Sequence, residues 1–335
     1  MQTHWVDGHV DLAYIALGGR DILQKCTARQ DECISIPDLN KGHVKTIAGT
    51  IYTSPEDHIL GYKKDDSNDA FLQGKKQLDL YLDLHKQGHI QLLHAKQLVN
   101  NSSSLEVLLL MEGADPIRNI DDVSWWYNRG LRIVGLTWST GTRYAGGNDC
   151  THGLTDEGKA LVQTLDAHDM LHDASHLSVQ SFEDLVSCTD RVIIASHSNS
   201  RNVLQSDSQR NLLDEQAKEI FKRGGVIGLN LCTMFLSKTF SDTSQTATID
   251  DCVEHIFHLC DLAGNRNQIA LGSDFDGGFT PKHLPIGLKH PSQLPYLLDR
   301  LQEQGFDENE LHSFAHGAWE RLYENQFSGV QNQPV

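Results

Sequence analysis

Eight short apolar runs separated by segments of helical periodicity restrict this chain to a parallel β-sheet clothed in helices. The runs are 5–11, 43–54, 105–113, 131–139, 170–176, 191–198, 224–231 and 268–278. Stretches such as LEVLLLMEG (105–113) are continuous rather than alternating, as suits strands covered on both faces. Helical spacing of apolar residues marks 68–88, 121–129, 153–169, 178–188, 211–223, 248–263, 292–303 and 307–324. Thr155 reads as an N-cap and Gly264 as a helix end, whereas residues 12–42 read as irregular. This alternation predicts a single α/β domain over 1–335, a (β/α)8 TIM barrel with a short polar tail at about 326–335. The alternative is an open doubly wound sheet. It would place a Gly-rich phosphate turn after the first strand, where this chain has His and Asp.

Charge narrows the partners. Lys and Arg number 28 against 45 Asp and Glu, a formal charge of −17 without any basic run, so neither nucleic acid nor an anionic membrane is expected. The seven cysteines contain no CxxC pair and no disulfide framework, which points to a reducing compartment. No apolar segment precedes residue 7, and no run approaches the roughly 20 residues of a membrane span, so the expectation is cytoplasmic.

The ends of the runs carry the chemistry. In Trp5-Val6-Asp7-Gly8-His9-Val10-Asp11, an extended backbone puts Asp7, His9 and Asp11 on one face. His9 and Asp11 suit one divalent ion of the zinc type, and Asp7 would steer a ligand from behind. The later runs finish in Glu112, Trp138, His176, His197, Asn230 and Asp274. In a barrel of this class, the C-terminal strand ends form the active-site rim. Two imidazoles, His176 and His197, with a carboxylate pair suit two zinc-like ions, and Glu112 is placed to bridge them. Such a pair generates a nucleophilic hydroxide at neutral pH, and Asp274 is the candidate proton carrier. Cys252, His255, His258 and Cys260 also have ligand-type side chains, but CVEHIFHLCDLAG reads as an amphipathic helix and no metal is expected there.

The motifs DGHVDL, MEG, LTW, GLTDEGKALVQTLDAHDMLHDASH, IIASHSNSR, QRNLLDEQ, GGVIGLNL and GSDFDGG resemble, in order from residue 7 to about 324, the series of the membrane (renal) dipeptidase family. That family belongs to the metal-dependent amidohydrolase superfamily. The resemblance implies a barrel with two zinc ions per chain that hydrolyses dipeptides by attack of a metal-bridging hydroxide. It implies that His9 and Asp11 bind one zinc, His176 and His197 the other, and Glu112 both. Asp274 would take the water's proton and deliver it to the departing amine, and Arg210 would hold the substrate's free carboxylate. Similar proteins accept a D-residue in the second position, and dimers occur among them, so a small peptide substrate and a homodimer are expected. Two positions depart from the pattern. Trp138 stands where well-known mammalian members have a substrate-binding His, and Cys232 where they have a Tyr. Substrate-facing candidates are therefore Trp138, Asn230 and His152, the last supplying a polar contact that Trp138 lacks. The alternative activity is hydrolysis of another small amide, ester or lactone.

Overall fold

The structure, a computed structural model, describes residues 3–26, 31–55, 57–93, 104–237 and 247–327. Most of the expected polar tail lies outside these residues. Nine strands run in chain order: β1 Trp5–Val10, β2 Val44–Tyr52, β3 Ile90–Leu92, β4 Leu105–Glu112, β5 Leu131–Gly135, β6 Leu171–Asp173, β7 Ile193–Ile194, β8 Ile227–Leu229 and β9 Ile269–Leu271. They pair in parallel in the order β7-β6-β5-β4-β2-β1-β9-β8, with β3 attached to β4. The two ends of this path meet at a parallel bridge between Ala195 and Ile227. There the Ala195 N–H donates to the Val226 carbonyl at 3.1 Å, and the Gly228 N–H to that of Ala195 at 2.8 Å. The eight expected runs are thus the strands of a (β/α)8 barrel.

The extra strand, β3, pairs only with the first residues of β4, Ile90 opposite Leu105 and Leu92 opposite Val107, below the point where β5 takes over. Three residues are too few to show a period, so nothing in the sequence separates it from a loop. Residues 12–42 are not irregular throughout. They hold the short helices Leu12–Leu17 and Ile36–Lys41, the second capped by the Ser35 hydroxyl accepting the Asp38 N–H. The longer helices follow expectation, whereas the one-turn helices Arg201–Leu204 and Thr233–Leu236 were not anticipated and a π-helical turn at Ser313–Gly317 interrupts the last pattern. Thr155 accepts the Gly158 N–H at the head of Asp156–Ala167, and Gly264 closes Ile249–Ala263 with φ +66°.

Two cores result. The larger lies between strands and helices, while the second draws on seven of the barrel strands, from Val6 and Ala48 through Leu108 and Ile133 to Ala270, and on Val226 just ahead of β8. The C-terminal helix Ala318–Phe327 closes that inner core with Trp319, Tyr323 and Phe327. Glycine permits the closure: a Cβ on Gly8 would come within 2.5 Å of the Trp319 ring, and one on Gly272 within 1.9 Å of the Ser196 carbonyl oxygen. The strands beneath the rim therefore sit close together, and side chains at their C-terminal ends can meet.

A clasp joins the two chain ends on the far side of the barrel. Glu320 takes His4 Nε2 on Oε1 at 2.7 Å and His316 Nδ1 on Oε2 at 2.8 Å, and the two imidazoles stack 4.0 Å apart. Burial alone would raise the Glu320 carboxyl, but hydrogen bonds from His316 and His4 outweigh it and hold it near 2, against a usual 4.5. A folded value below the unfolded one means stability that is present above about pH 4.5 and lost as pH falls toward 2. Glu320→Gln should therefore cost about 1–2 kcal/mol of unfolding free energy at pH 6, after allowance for solvent screening, and almost nothing near pH 2. Urea titrations of both proteins across that range provide the check. A gap that stays constant with pH would contradict the clasp.

Candidate metal centre and active site

His9 lies on β1 and Asp11 just past its end, at the start of helix Leu12–Leu17. Asp7 does not touch either imidazole or ligand oxygen: its Oδ1 accepts the backbone N–H of Ser273 at 2.8 Å and of His9 at 3.2 Å. It joins β1 to the end of β9 instead of steering a side chain. Thr50 on β2 donates its hydroxyl to Asp11. His176 and Asp274 leave their strand ends with φ of +66° and +59°, a left-handed conformation uncommon for non-glycine residues and concentrated where function demands it.

These ends bring five side chains together. His176 Nε2 and His197 Nε2 lie 3.1 Å apart, and Glu112 Oε1 is 3.1 Å from the first and 3.3 Å from the second. The other glutamate oxygen is 3.6 Å from His9 Nε2, which is 3.8 Å from Asp11 Oδ2. A tetrahedral ion with bonds of about 2.0 Å separates its ligands by about 3.3 Å, so this spacing is that of a coordination shell. Two groups able to hold an ion, His9–Asp11–Glu112 and Glu112–His176–His197, share the one glutamate. The donor set is mixed imidazole and carboxylate, as zinc-type ions prefer. His9 Nε2 is buried without a hydrogen-bond partner, an orphan that a cation would satisfy. The residues present fit the ions.

Electrostatics agree. Burial would raise Glu112, but the facing His9 and the close His176 and His197 imidazoles hold its carboxyl far below the usual range. Burial pushes His176 down to about 4 and drives His197 well below its ordinary value, so both imidazoles are neutral. Burial among Asp11 and Glu112 lifts Asp274 to about 8. Burial would lower His9, but the facing Glu112, Asp11 and Asp274 outweigh it and raise it to about 10, so without ions this imidazole is held as a cation by the surrounding carboxyls.

Above the cluster is a cavity of about 380 Å³, which Asp11, Glu112, His176, His197, Arg210 and Asp274 reach from below. Tyr14, Tyr52 and Trp138 form one wall, and Met234, Phe235 and Phe279 belong to the other lining. The Trp138 ring lies 5.9 Å from that of His176 and edge-on to Tyr52 at 5.5 Å. Arg210 is buried at 5% exposure. It donates Nη1 to Ser198 Oγ at 3.0 Å and Nη2 to the His197 carbonyl at 2.8 Å, lies over Phe235, and keeps Nε without a partner.

Two expected substrate contacts fall elsewhere. Asn230 is fully buried and does not line the cavity. Its Nδ2 donates to Asp274 Oδ2 at 2.8 Å while its Oδ1 accepts the Cys232 N–H at 2.7 Å, so it supports the acid. His152 is exposed and borders a separate cavity with Arg143 and Glu157, because the 138–155 loop folds outward before Thr155 caps the next helix. Cys252, His255, His258 and Cys260 have other roles: His255 bridges the Ser200 N–H and the Leu236 carbonyl, and His258 pairs with Asp214. Sequence reasoning missed Asn148, whose Oδ1 meets His176 Nδ1 at 2.8 Å, and the pair Asp173 and Ser196 behind the cluster. The last two lie inside the motifs DASH and ASHS, which was their available signal.

Comparison with known proteins places this geometry. The profile of the family described as membrane dipeptidase (peptidase family M19) matches residues 1–331. An uncharacterized protein from the pqqA 5′ region of Klebsiella pneumoniae is 32% identical over 215 residues, 61% of this chain and 75% of that one. An uncharacterized dipeptidase of Schizosaccharomyces pombe is 30% identical over 217 residues, covering 63% of this chain but half of its own length. Among solved structures, the dipeptidase AC, a metallopeptidase of family M19, superposes with TM-score 0.85 at 25% identity over 98% of this chain and all of its own. A metallopeptidase from Rhodobacter sphaeroides, solved with a phosphinate mimic of L-Ala-D-Ala, has the same fold, with TM-score 0.84 at 24% identity over 97% of this chain and all of its own.

Proposed function

The chain belongs to the membrane dipeptidase family, and on that premise we propose that it is a dipeptidase working with two zinc ions. The observation that supports this most is the sharing of Glu112 between two ligand-spaced groups. His9 and Asp11 with Glu112 would hold one ion, and His176 and His197 with Glu112 the other. When bound, the ions would acidify water and polarise the scissile carbonyl.

The chain's own residues supply the rest. Arg210 lines the cavity and would clamp the free carboxylate of the substrate's second residue. That clamp limits length, since a longer peptide would carry its carboxylate past the guanidinium. Asp274, lifted by burial, can hold a proton near neutral pH on Oδ1, the oxygen that Asn230 leaves free. There it would collect the proton of the attacking water and pass it to the departing amine. Tyr52 and Trp138 exclude solvent from one side of the reacting bond. A substrate with a D-residue in second place fits the same roles.

One observation favours a second reading, a different small amide, ester or lactone: Trp138 offers a single indole N–H beside the ions' position. Turnover of an L,L and L,D dipeptide panel against lactones and N-acyl amino acids separates the two. About two zincs per chain and hydrolysis of dipeptides but not tetrapeptides are expected. Chelation should abolish turnover and lower the melting temperature, since ligand at 100 times Kd contributes about 2.7 kcal/mol to stability. The seven free cysteines support a reducing, cytoplasmic setting, and a homodimer belongs to the same proposal. Among the described residues, no helix is long and apolar enough to cross a membrane.

A further inference from the structure

We propose that Ser196 is a positioning residue whose single hydroxyl, steered by Asp173, sets the tautomer of two imidazoles belonging to different ion positions, His9 and His197. The inference rests on the two-ion reading above and concerns how this chain prepares its ligands.

The hydroxyl is buried, with Asp173 Oδ2 at 2.5 Å, His197 Nδ1 at 2.8 Å and His9 Nδ1 at 3.2 Å. A hydroxyl has one proton to give and two lone pairs with which to accept. Asp173 already gathers the backbone N–H of Ser175 at 3.0 Å and of Ser196 at 2.9 Å on Oδ1, so its carboxylate takes the serine proton on Oδ2. The two lone pairs then face the two Nδ1 atoms, which must both carry hydrogen. The remaining neighbour, Ser175 Oγ at 3.4 Å, is the farthest of the four and itself accepts the His197 N–H. An imidazole that keeps its proton on Nδ1 presents Nε2 to an ion, His9 after releasing the second proton it carries without one. Those are the atoms directed at Glu112, 3.6 Å away for His9 and 3.3 Å for His197.

His176 reaches the same state separately. Its Nδ1 meets Asn148 Oδ1 at 2.8 Å, while the Asn148 Nδ2 is committed to Ser139 Oγ and Asp149 Oδ1, both at 2.9 Å. His9, Asp173 and His197 also satisfy the spacing of an ion-holding group. The Ser196 hydroxyl contacts all three, so that group is the positioning network and not a further ion position.

The test uses the full chain with isotope-labelled histidine and a competing chelator. In the zinc-free wild type, ¹⁵N spectra are expected to show His9 and His197 protonated on Nδ1. Ser196→Ala should remove that preference and weaken both zincs together, each on the order of 10- to 100-fold. Asn148→Ala should weaken one zinc and spare the other. Asp173→Asn keeps size but reverses polarity: with its carbonyl held by two N–H groups, its amide donates to Ser196, and the serine hydroxyl must then donate its hydrogen bond to an Nδ1 that carries no proton. One histidine should then switch to Nε2–H, with the fold checked by circular dichroism. The proposal is overturned if the tautomers survive Ser196→Ala, or if only one zinc is weakened by it. Should the wild type bind no zinc, the two-ion reading fails, and the ¹⁵N spectra still decide the role of Ser196.

Discussion

Glu112→Gln is expected to lower kcat/KM on dipeptides by at least about 10³-fold, some 4 kcal/mol of transition-state stabilisation, with the barrel intact. One carboxylate oxygen faces His176 and His197 at 3.1 and 3.3 Å, and the other faces His9 at 3.6 Å. An amide of the same shape loses the negative charge that a pair of cations needs. It also turns an –NH2 toward nitrogens that offer lone pairs, where an acceptor had been. Both ion positions suffer at once because the glutamate belongs to both groups. Metal content by elemental analysis should fall below two per chain, and steady-state kinetics with excess zinc should not restore the rate. A variant that keeps two zincs and loses less than tenfold in kcat/KM would refute the shared-ligand reading.

Arg210→Met should cost about 10²- to 10³-fold in kcat/KM on dipeptides, chiefly through KM, as for the loss of one partner of a buried charge pair. Its guanidinium is anchored by the His197 carbonyl and Ser198 Oγ at the lining of the cavity. A structural role would predict losses for every substrate. Dipeptide amides, which lack the carboxylate, tell the two apart: they should be poor substrates of the wild type, and the variant should handle them no worse. Equal losses on acid and amide would show that Arg210 shapes the ligand loop and does not clamp substrate.

Much of this was legible in local sequence. The eight strands stand out because a strand buried on both faces must be apolar throughout, and because all but the 43–54 run break off at a rim residue. The ligand candidates were legible for the same reason, since His9, Glu112, His176 and His197 interrupt or end apolar runs where a polar group has little other purpose. β3 was not legible, being only three residues long and paired at the foot of β4. Where the His152 and Asn230 side chains point was not legible, because their neighbours in the chain are close to the rim while neither side chain lines the cavity. His152 leaves with its loop, and Asn230 turns beneath Asp274.

Sequence by itself determined the eight barrel strands, their order along the chain and the chemical types at most of their ends, because burial period and strand termination are properties of adjacent residues. Tertiary structure alone decided that Asn230 supports an acid and that a single serine hydroxyl meets two imidazoles. Those facts depend on how tightly the barrel closes, which brings residue 9 to within hydrogen-bond reach of residue 196, and on counting the protons one oxygen can share. Neither quantity has a trace in any short stretch of the chain.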